Sequence, residues 1–219
     1  EVLNFTTGIT AATASPGGGY QFQSRGFSIT NVQVDGMQSS YRSAGRGAFN
    51  PISLDMDLYD RVEVVRGATG LLSPTGEPSA LINLIRKRPQ ATFGARLNTH
   101  IGSWKDRRVT ADVTGPLTED GRLRMRVIGS HKAADSFIDR TNNKNNLLSG
   151  ILEFDITDNT ILTAGYDFQN SKLQGESNMG IPLFDSNGER IDVSRSMSLA
   201  PDWTYWNKRH QNAFISVEH

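Results

Sequence analysis

Residues 93–102 read Phe-Gly-Ala-Arg-Leu-Asn-Thr-His-Ile-Gly, and the side chains alternate between two chemical classes. One parity is mostly apolar and consists of Phe93, Ala95, Leu97, Thr99 and Ile101. The other parity consists of glycine and the polar residues Arg96, Asn98 and His100. Because successive side chains of an extended strand point to opposite faces, this stretch predicts a β-strand with one apolar and one polar face.

The same period of two recurs along the rest of the chain. The apolar parities of the five later segments are Val109-Ala111-Val113, Leu123-Met125-Val127, Leu148-Leu152-Phe154-Ile156, Leu162-Ala164-Tyr166-Phe168 and Ala213-Ile215-Val217. In the segment from Leu123, the polar parity carries three arginines, Arg122, Arg124 and Arg126. Together with the first stretch these make six segments, each close to ten residues or longer, and they predict a sheet of six strands.

The connections between these segments differ in length at the two ends of the predicted sheet. Tight turns fall at residues 118–122 and 157–159, whereas 102–106, 139–146 and 173–207 form the other connections, the last of more than thirty residues. This arrangement predicts an up-and-down antiparallel sheet. Short turns on one side and longer loops on the other are typical of outer-membrane barrels.

Period two alone leaves two interpretations open. A soluble antiparallel sheet would bury its apolar face in a core and leave its polar face in water. A membrane barrel would turn its apolar face to lipid and its polar face to the interior. Two features favour the barrel: three arginines lie on one face, and aromatic residues lie near the strand ends (Phe93, Trp104, Tyr166 and Phe168).

Composition excludes several other classes of protein. The chain has 219 residues, enough for one or two domains, with 23 Lys+Arg and 23 Asp+Glu. A formal charge of zero argues against a nucleic-acid binder. The absence of cysteine excludes disulfides, Cys-ligated zinc, iron–sulfur clusters and thiol catalysis. The sequence contains no run of 18 apolar residues, so it predicts no membrane-spanning helix.

Before Pro89 the sequence has a different texture, with short apolar pieces between glycine-rich loops. Asn31–Asp35 and Arg61–Arg66 are predicted to be strands, and Leu54–Tyr59 and Pro78–Leu81 to be short helices. We therefore expect a small mixed α/β domain with long irregular loops, which in a compact domain are usually functional.

Four motifs in order resemble one known family. They are Ser24-Arg25-Gly26-Phe27 followed by Asn31–Gly36, then Tyr59–Gly70, then Gly76–Pro89, and finally Gly115-Pro116-Leu117. Together they resemble the TonB-dependent receptors of Gram-negative outer membranes, in particular the ferric-siderophore branch. The resemblance covers essentially the whole chain.

This resemblance implies an architecture. Residues 1–89 would be the C-terminal part of a small mixed α/β plug domain. Residues 90–219 would be the first six strands of a membrane all-β barrel of about 22 antiparallel strands, the class of plugged outer-membrane transporters.

The resemblance also implies a function without covalent chemistry. The receptor would bind a ferric siderophore in the outer membrane and import it with energy transduced by TonB. The expected partners are the ferric siderophore, TonB and outer-membrane lipid, with no nucleic acid; the chain would be a monomer, not an enzyme, and would need no cofactor beyond the transported ligand. His100, His131, His210 and His219 are too dispersed to predict a metal site.

Two arginines match plug positions that, in this family, pair with glutamates of the barrel wall. They are Arg25 and Arg66, and the resemblance places their partners beyond residue 219. The planar guanidinium suits this role because it holds a carboxylate bidentately. The alternative is an ordinary surface ion pair, which would contribute little to stability.

The predicted ligand-binding residues are aromatic or polar side chains on plug apices and outer loops: Tyr20, Gln38, Tyr41, Arg42, Trp104, Trp203 and Trp206. Aromatics and arginine suit a bulky ligand with polar chelating oxygens. Tyr41 is the first choice, because aromatic contacts of related receptors fall in the corresponding loop. The alternative for the tryptophans is anchoring in the membrane interface, and Trp203 and Trp206 fit both roles equally well.

One departure from the family pattern narrows the ligand class. Many relatives carry a Gly-Gly pair where this chain reads Glu77-Pro78-Ser79-Ala80. This variant resembles the sub-branch that handles hydroxamate and pyoverdine-type siderophores. Two rival functions remain: an importer of haem, cobalamin or a carbohydrate, and a non-transporting β-sheet binding module.

Overall fold

The computed structural model of the chain describes residues 2–15, 19–38, 55–67, 79–175 and 180–219. The chain divides into two compact units, Glu1–Lys87 and Arg88–His219. Among the described residues, no helix is both long and apolar enough to cross a membrane.

The first unit contains two small sheets. Strands β1 (Thr10–Ser15), β2 (Gly19–Ser24) and β3 (Phe27–Ser28) form an antiparallel sheet. Strands β4 (Asn31–Val34), β5 (Met37–Gln38), β6 (Tyr59–Arg66) and β7 (Ala80–Arg86) form a second sheet in the order β5-β4-β7-β6. In this sheet β4 and β7 run parallel, and the other pairs are antiparallel. The two strands predicted for this unit are confirmed in β4 and β6.

The helix predicted at Pro78–Leu81 is wrong, since Ala80 and Leu81 begin strand β7. The sequence of β7, Ala-Leu-Ile-Asn-Leu-Ile-Arg, is almost continuously apolar because the strand lies between β4 and β6 in the core, where Leu84 is completely buried. A short apolar run of this kind does not by itself distinguish a strand from a helix.

The described residues of this unit contain little helix. The helix predicted at Leu54–Tyr59 is a single 3₁₀ turn at Met56–Leu58 in the described residues, and the Asp55 side chain caps it by accepting a hydrogen bond from the Asp57 amide. A second 3₁₀ turn covers Val2–Phe5. The expected mixed α/β unit is therefore strand-rich over the part of it that the structure describes.

The second unit is one antiparallel sheet of six strands. They are β8 (Gly94–Ile101), β9 (Arg107–Pro116), β10 (Leu123–Asp135), β11 (Asn142–Thr157), β12 (Thr160–Gln174) and β13 (Tyr205–Glu218), and each pairs with the next along the chain. The predicted up-and-down order is confirmed. The turns after β9 and β11 lie at one end of the sheet, the turn end, and the connections after β8, β10 and β12 lie at the other, the loop end.

Four of these strands, β10 to β13, are longer than ten residues. Strand β11 begins at Asn142, within the segment predicted to be a loop, and β12 continues to Gln174. The two strands stay paired over this polar extension, where Asn142 Nδ2 donates to Gln174 Oε1 at 3.3 Å. Backbone pairing here outweighs the low strand propensity of asparagine.

The two faces of the six-stranded sheet have inverted burial. The polar face holds buried Thr110, Asp112, Thr114, Ser130, Ser149, Glu153, Thr163 and Asp167. The apolar face holds exposed Leu97, Val109, Val127, Leu148, Leu152, Phe154, Tyr166, Ile215 and Val217. A soluble sheet buries its apolar face, so this pattern favours the lipid-facing interpretation.

Candidate functional site

A charged network fills the turn end of the polar face. Arg124 binds Asp155 through two hydrogen bonds of 2.6 and 2.7 Å, and Arg126 binds Asp112 through two of 2.8 and 2.7 Å. The side chains of Arg126 and Asp112 are only 13% and 5% exposed. Such forked pairs satisfy charges that would be costly to bury alone.

Arg88 joins this network from the segment that precedes β8. Its Nε donates to Glu153 Oε1 at 2.6 Å, and its two terminal nitrogens donate to the Glu218 carboxylate at 3.1 and 2.7 Å. Burial alone would lower the pKa of Arg88, but the hydrogen bonds to Glu218 and Glu153 outweigh it and raise the pKa above its ordinary value. Arg88 therefore stays cationic and ties its segment to β11 and β13.

Two backbone contacts fix the same segment to β9 and β10. Arg126 Nη1 donates to the Arg88 carbonyl at 3.0 Å, and the Gln90 amide donates to Thr114 Oγ1 at 2.8 Å. The Thr114 hydroxyl donates onward to the Met125 carbonyl at 3.0 Å. Residues 88–90 are thus anchored to four of the six strands, and we call them the anchored segment.

Sequence reasoning placed Arg124 and Arg126 on the polar face but missed Arg88. Arg122, the third predicted arginine, lies at the turn, where it reaches exposed Asp158 at 3.7 Å. The sequence did contain one indication of Arg88. Asp112 and Glu153 lie on the buried polar face, and buried carboxylates require cationic partners.

At the loop end, the turn after β8 holds Trp104 in an unusual conformation. Trp104 and Lys105 have φ angles of +59° and +53°, and the Asp106 amide donates to the Ser103 carbonyl across them. Two consecutive left-handed residues define a type I′ turn, which usually has the sequence Asn-Gly or Gly-Gly. The backbone is therefore strained at both Trp104 and Lys105. Strain at an exposed aromatic residue points to a functional requirement for it.

The Trp104 ring lies near Phe137 of the connection after β10, and Phe137 in turn contacts Arg195 of the connection after β12. The centre of the Trp104 ring lies 6.3 Å from that of Phe137, and the Arg195 guanidinium lies 5.2 Å over the Phe137 ring. We call Trp104, Phe137 and Arg195 the loop cluster. It presents exposed aromatic surface beside a cation, a combination suited to a bulky ligand with anionic or chelating oxygens.

The long connection after β12 folds onto the connection after β10. Arg140 donates to the Ser198 carbonyl at 2.6 Å and to Asp202 at 3.3 Å, and the Asp139 amide donates to the Ser196 carbonyl at 2.8 Å. These contacts hold the described part of the connection, including Arg195, close to Phe137. The loop cluster is therefore built from side chains whose backbones are fixed.

The structure also describes four of the other predicted ligand-binding residues, each in its own surroundings. Trp203 is 79% exposed, and the Trp206 ring lies 4.6 Å from the Lys208 ammonium. Tyr20 lies on β2 opposite Thr13, and Gln38 ends β5 with an exposed side chain. Tyr41 and Arg42 lie outside the described residues.

The predicted lock arginines both occupy exposed positions in the first unit. Arg25 lies in the turn between β2 and β3 with a φ of +55°. Arg66, at the end of β6, donates from Nη1 to the Thr7 carbonyl at 2.7 Å. This contact ties the segment after the first 3₁₀ turn to β6.

The turn that leads from β4 to β5 is braced from β7. Asp35 and Gly36 have φ angles of +51° and +78°, the geometry favoured by an Asp-Gly hairpin. Arg86 binds Asp35 at 2.6 Å, and Asn83 Oδ1 accepts from the Gly36 amide at 3.0 Å. Asn83 in turn donates a hydrogen bond to the Glu63 carboxylate, which orients the Asn83 side chain. Hydrogen bonds from Arg61, and to a lesser degree from Asn83, lower the pKa of Glu63.

Replacing Asp35 with asparagine should loosen this turn. Asparagine tolerates the left-handed backbone but removes the carboxylate that binds the Arg86 side chain, which is only 8% exposed. We expect a loss of about 2 kcal/mol, below the range for fully buried pairs because Asp35 is partly exposed. Hydrogen exchange in the complete protein should accelerate in β4, β5 and β7. Asp60→Asn removes an exposed carboxylate and serves as the control; equal protection in both variants would contradict the expectation.

Comparison with known proteins supplies an independent line of evidence. Residues 1–81 match the family model for the TonB-dependent receptor plug domain. The whole chain is 42% identical to the ferripyoverdine receptor of Pseudomonas aeruginosa and 41% identical to the ferric-pyoverdine BN7/BN8 receptor of Pseudomonas putida. It covers 27% and 26% of those proteins, so it spans about a quarter of their length. The crystal structure of the Pseudomonas aeruginosa receptor bound to ferripyoverdine superposes with a TM-score of 0.90, over 100% of this chain and 29% of that one.

Proposed function

Because this chain belongs to the TonB-dependent receptor family, we propose that it forms plug and barrel parts of an outer-membrane receptor that imports a ferric siderophore with energy transduced by TonB. In this proposal residues 1–89 belong to the plug domain and residues 90–219 form the first six barrel strands. The observation that carries it is the 42% identity over the whole chain to a ferripyoverdine receptor.

The six-stranded sheet supports the same proposal on physical grounds. Its exposed apolar face suits contact with lipid, and its charged polar face suits a wet interior. Both features argue against the alternative of a non-transporting β-sheet module. The identity with ferric-pyoverdine receptors favours a pyoverdine-type ligand over haem, cobalamin or a carbohydrate.

The proposed ligand site combines the loop cluster with the apices of the plug. Trp104, Trp203 and Trp206 would supply apolar and aromatic surface from the barrel connections. Tyr20, Gln38, Tyr41 and Arg42 would supply contacts from the plug. The receptor would bind the iron already chelated, so the protein would recognise the siderophore and its charge.

Uptake of radioactive iron tests this function directly. A strain that lacks its own siderophore receptors and expresses the complete protein should accumulate iron from ferripyoverdine, and the accumulation should stop when TonB is deleted. Uptake from haem but not from ferripyoverdine would favour the rival importer. Uptake that persists without TonB would contradict the proposed energy source.

The lock arginines should separate uptake from binding. In this proposal Arg25 and Arg66 couple the plug to the barrel wall, and Arg66 also holds the Thr7 segment against β6. Arg25→Ala or Arg66→Ala should therefore lower the rate of uptake several-fold while affinity for ferripyoverdine changes less than twofold. Both quantities can be measured on the same preparations. Parallel losses in uptake and affinity would refute this separation.

A further inference from the structure

In the part of the second unit that the structure describes, five side-chain atoms are buried without a hydrogen-bond partner. They are Asp106 Oδ1, Asn143 Oδ1, Asn145 Oδ1, Gln169 Nε2 and Asn170 Oδ1. An unsatisfied buried polar atom is destabilising, so such atoms are rare in native proteins and each needs an explanation. Four of the residues, all except Asn170, stand together at the loop end of the polar face, and we call these four the unpaired cluster.

The register of the sheet brings the three amides of the unpaired cluster together. On β11, Asn143 and Asn145 have the parity of the buried polar residues. Gln169 has this parity on β12, where it is two residues from Ser171, which lies directly opposite Asn145. Diagonal neighbours of this kind are about 7–8 Å apart. The three side-chain amides are therefore close enough to contact one ligand.

Lys132 links the fourth member, Asp106, to these amides. The Lys132 ammonium lies 3.4 Å from Asp106 Oδ2, and the two side chains are 31% and 25% exposed. Lys132 also lies directly opposite Asn145 on the neighbouring strand. The unpaired cluster therefore offers three acceptor oxygens and one amide donor beside a cation.

The unpaired cluster adjoins the loop cluster. Asp106 follows Trp104 by two residues in the turn after β8, and the Asp135 amide donates to the Trp104 carbonyl at 2.8 Å. Asn143 lies at the start of β11, directly after the connection that carries Phe137. A ligand bound at the loop cluster would therefore have the unpaired amides next to it along the polar face.

The spacing of the amides indicates the chemistry of what they bind. Asn143 and Asn145 are two residues apart on one strand, so their side chains repeat at about 6.8 Å. An extended peptide has the same repeat, because every second residue presents its N–H and C=O groups to the same side. A side-chain amide carries one carbonyl oxygen and one NH₂ group, so it can bond to a peptide group as donor and as acceptor.

A ligand can reach these atoms without a change in the backbone. Asn143, Asn145 and Gln169 are each partly exposed, although the unpaired atom of each is buried. The terminal torsions of asparagine and glutamine have broad preferences. A rotation of the amide group about its last bond therefore turns the unpaired atom toward a ligand.

We propose that the unpaired cluster is a subsite on the sheet for an extended peptide chain of the imported ligand, which lies along β11 on the polar face. N–H groups of the ligand would donate to Asp106, Asn143 and Asn145. Carbonyl groups of the ligand would accept from Gln169 and Lys132. The inference rests on the proposed function, and it adds a peptide-specific subsite to the aromatic contacts of the loop cluster.

The test measures the affinity of the complete receptor, purified in detergent, for two forms of ferripyoverdine by isothermal titration calorimetry. One form has its ordinary peptide chain. In the other the backbone amides of that chain are N-methylated, which removes the N–H donors and keeps the iron-binding groups. Asn143→Ala and Asn145→Ala should each weaken binding of the ordinary form about fivefold, and the double variant about 25-fold, as expected for one lost hydrogen bond each. The wild type and the double variant should bind the N-methylated form equally.

Asn146→Ala is the matched control. It removes an amide from the same strand but from the apolar face, where the Asn146 side chain is hydrogen-bonded to His131 Nδ1 at 2.7 Å. Affinity for the ordinary form should change less than twofold in this variant. Migration of unheated samples in electrophoresis would verify that every variant is folded.

The outcomes separate this inference from the proposed function. Wild-type affinity of the double variant for the ordinary form would overturn the subsite alone, and would mean that ordered water satisfies the cluster. A loss of the same size with the N-methylated form, or in the control variant, would also overturn it, because backbone donors would not be what these amides recognise. Failure of the wild-type receptor to bind either form would refute the proposed ligand and the subsite with it. A loss confined to the ordinary form and to the polar-face variants would support the subsite.

Discussion

Arg126→Ala should destabilise the folded receptor by about 3–5 kcal/mol, the usual cost of removing one partner from a buried ion pair. The variant removes the two hydrogen bonds that Arg126 donates to the Asp112 carboxylate, whose side chain is 5% exposed. It also removes the hydrogen bond from Nη1 to the Arg88 carbonyl, which helps to hold the anchored segment. The effect should appear as a lower midpoint of denaturant unfolding for the complete protein in detergent.

Arg122→Ala is the control for this prediction. It deletes an arginine from the same region of the sheet, but this one is half-exposed. Its partner Asp158, at a distance of 3.7 Å, is almost fully exposed. A surface pair of this kind contributes about 0–1 kcal/mol. A double variant, Arg126→Met with Asp112→Leu, should recover much of the lost stability, because removing both charges also removes the cost of burying one alone. Similar losses for Arg122→Ala and Arg126→Ala would show that burial does not determine the strength of the network.

The anchored segment has a mechanical consequence for the proposed transport. The covalent link between Lys87 and Arg88 joins the two units, so force applied to the first unit is transmitted along the chain into the anchored segment. Because Arg88 and Gln90 are bonded to strands β9, β10, β11 and β13, the load would be distributed over most of the sheet instead of being concentrated on β8. Rearrangement of the first unit can then occur without peeling β8, an edge strand of the six, away from β9.

Much of this fold could be predicted because its signal is local. Alternation of apolar and polar residues is a property of each strand alone, and it placed all six strands of the second unit in the order that the structure shows. The arginines at positions 124 and 126 could likewise be assigned to one face by parity. The resemblance of the plug motifs to a family is confirmed by the match of residues 1–81.

The features that were missed depend on partners distant in sequence. Arg88 binds Glu153 and Glu218, which are 65 and 130 positions away in the sequence. The sequence around Arg88 does not distinguish it from Arg86 or Lys87 as a member of the network. The helix predicted at Pro78–Leu81 included the first two residues of strand β7, and the rest of this strand was not predicted. Its almost continuously apolar sequence is explained by its central place between β4 and β6. The polar extension of β11 is a strand because β12 pairs with it.

The candidate ligand site was predicted only in part for the same reason. Trp104 was selected as an aromatic residue near a strand end, but Phe137 and Arg195 come from connections whose proximity depends on Arg140 and on contacts with Ser196 and Ser198. The left-handed backbone at Trp104 was also unpredictable, because Ser-Trp-Lys-Asp lacks the Gly or Asn that marks such a turn.

Trp104→Ala should reduce the affinity of the complete receptor for ferripyoverdine by about 30-fold, the effect of losing one aromatic residue from the centre of a binding surface. This expectation rests on the proposed function. The ring is 58% exposed and packs against Phe137, and the residue lies in a left-handed turn. Because glycine would adopt this turn without strain, the presence of tryptophan there indicates a role for its side chain. Isothermal titration calorimetry measures the change, and Trp104→Tyr should keep most of the affinity because it retains an aromatic face.

Two glycine variants at the same turn separate the ring from the backbone. Trp104→Gly and Lys105→Gly both place glycine at a left-handed position, so both should relax the turn and leave the hairpin at least as stable. Only Trp104→Gly removes the ring, whereas Lys105→Gly sacrifices an exposed ion pair with Asp135 that contributes little. We therefore expect a loss of affinity like that of Trp104→Ala in the first and a change of less than about twofold in the second. If both variants lose affinity equally, turn conformation determines binding and Trp104 does not contact the ligand; if neither loses affinity, the loop cluster lies outside the ligand site.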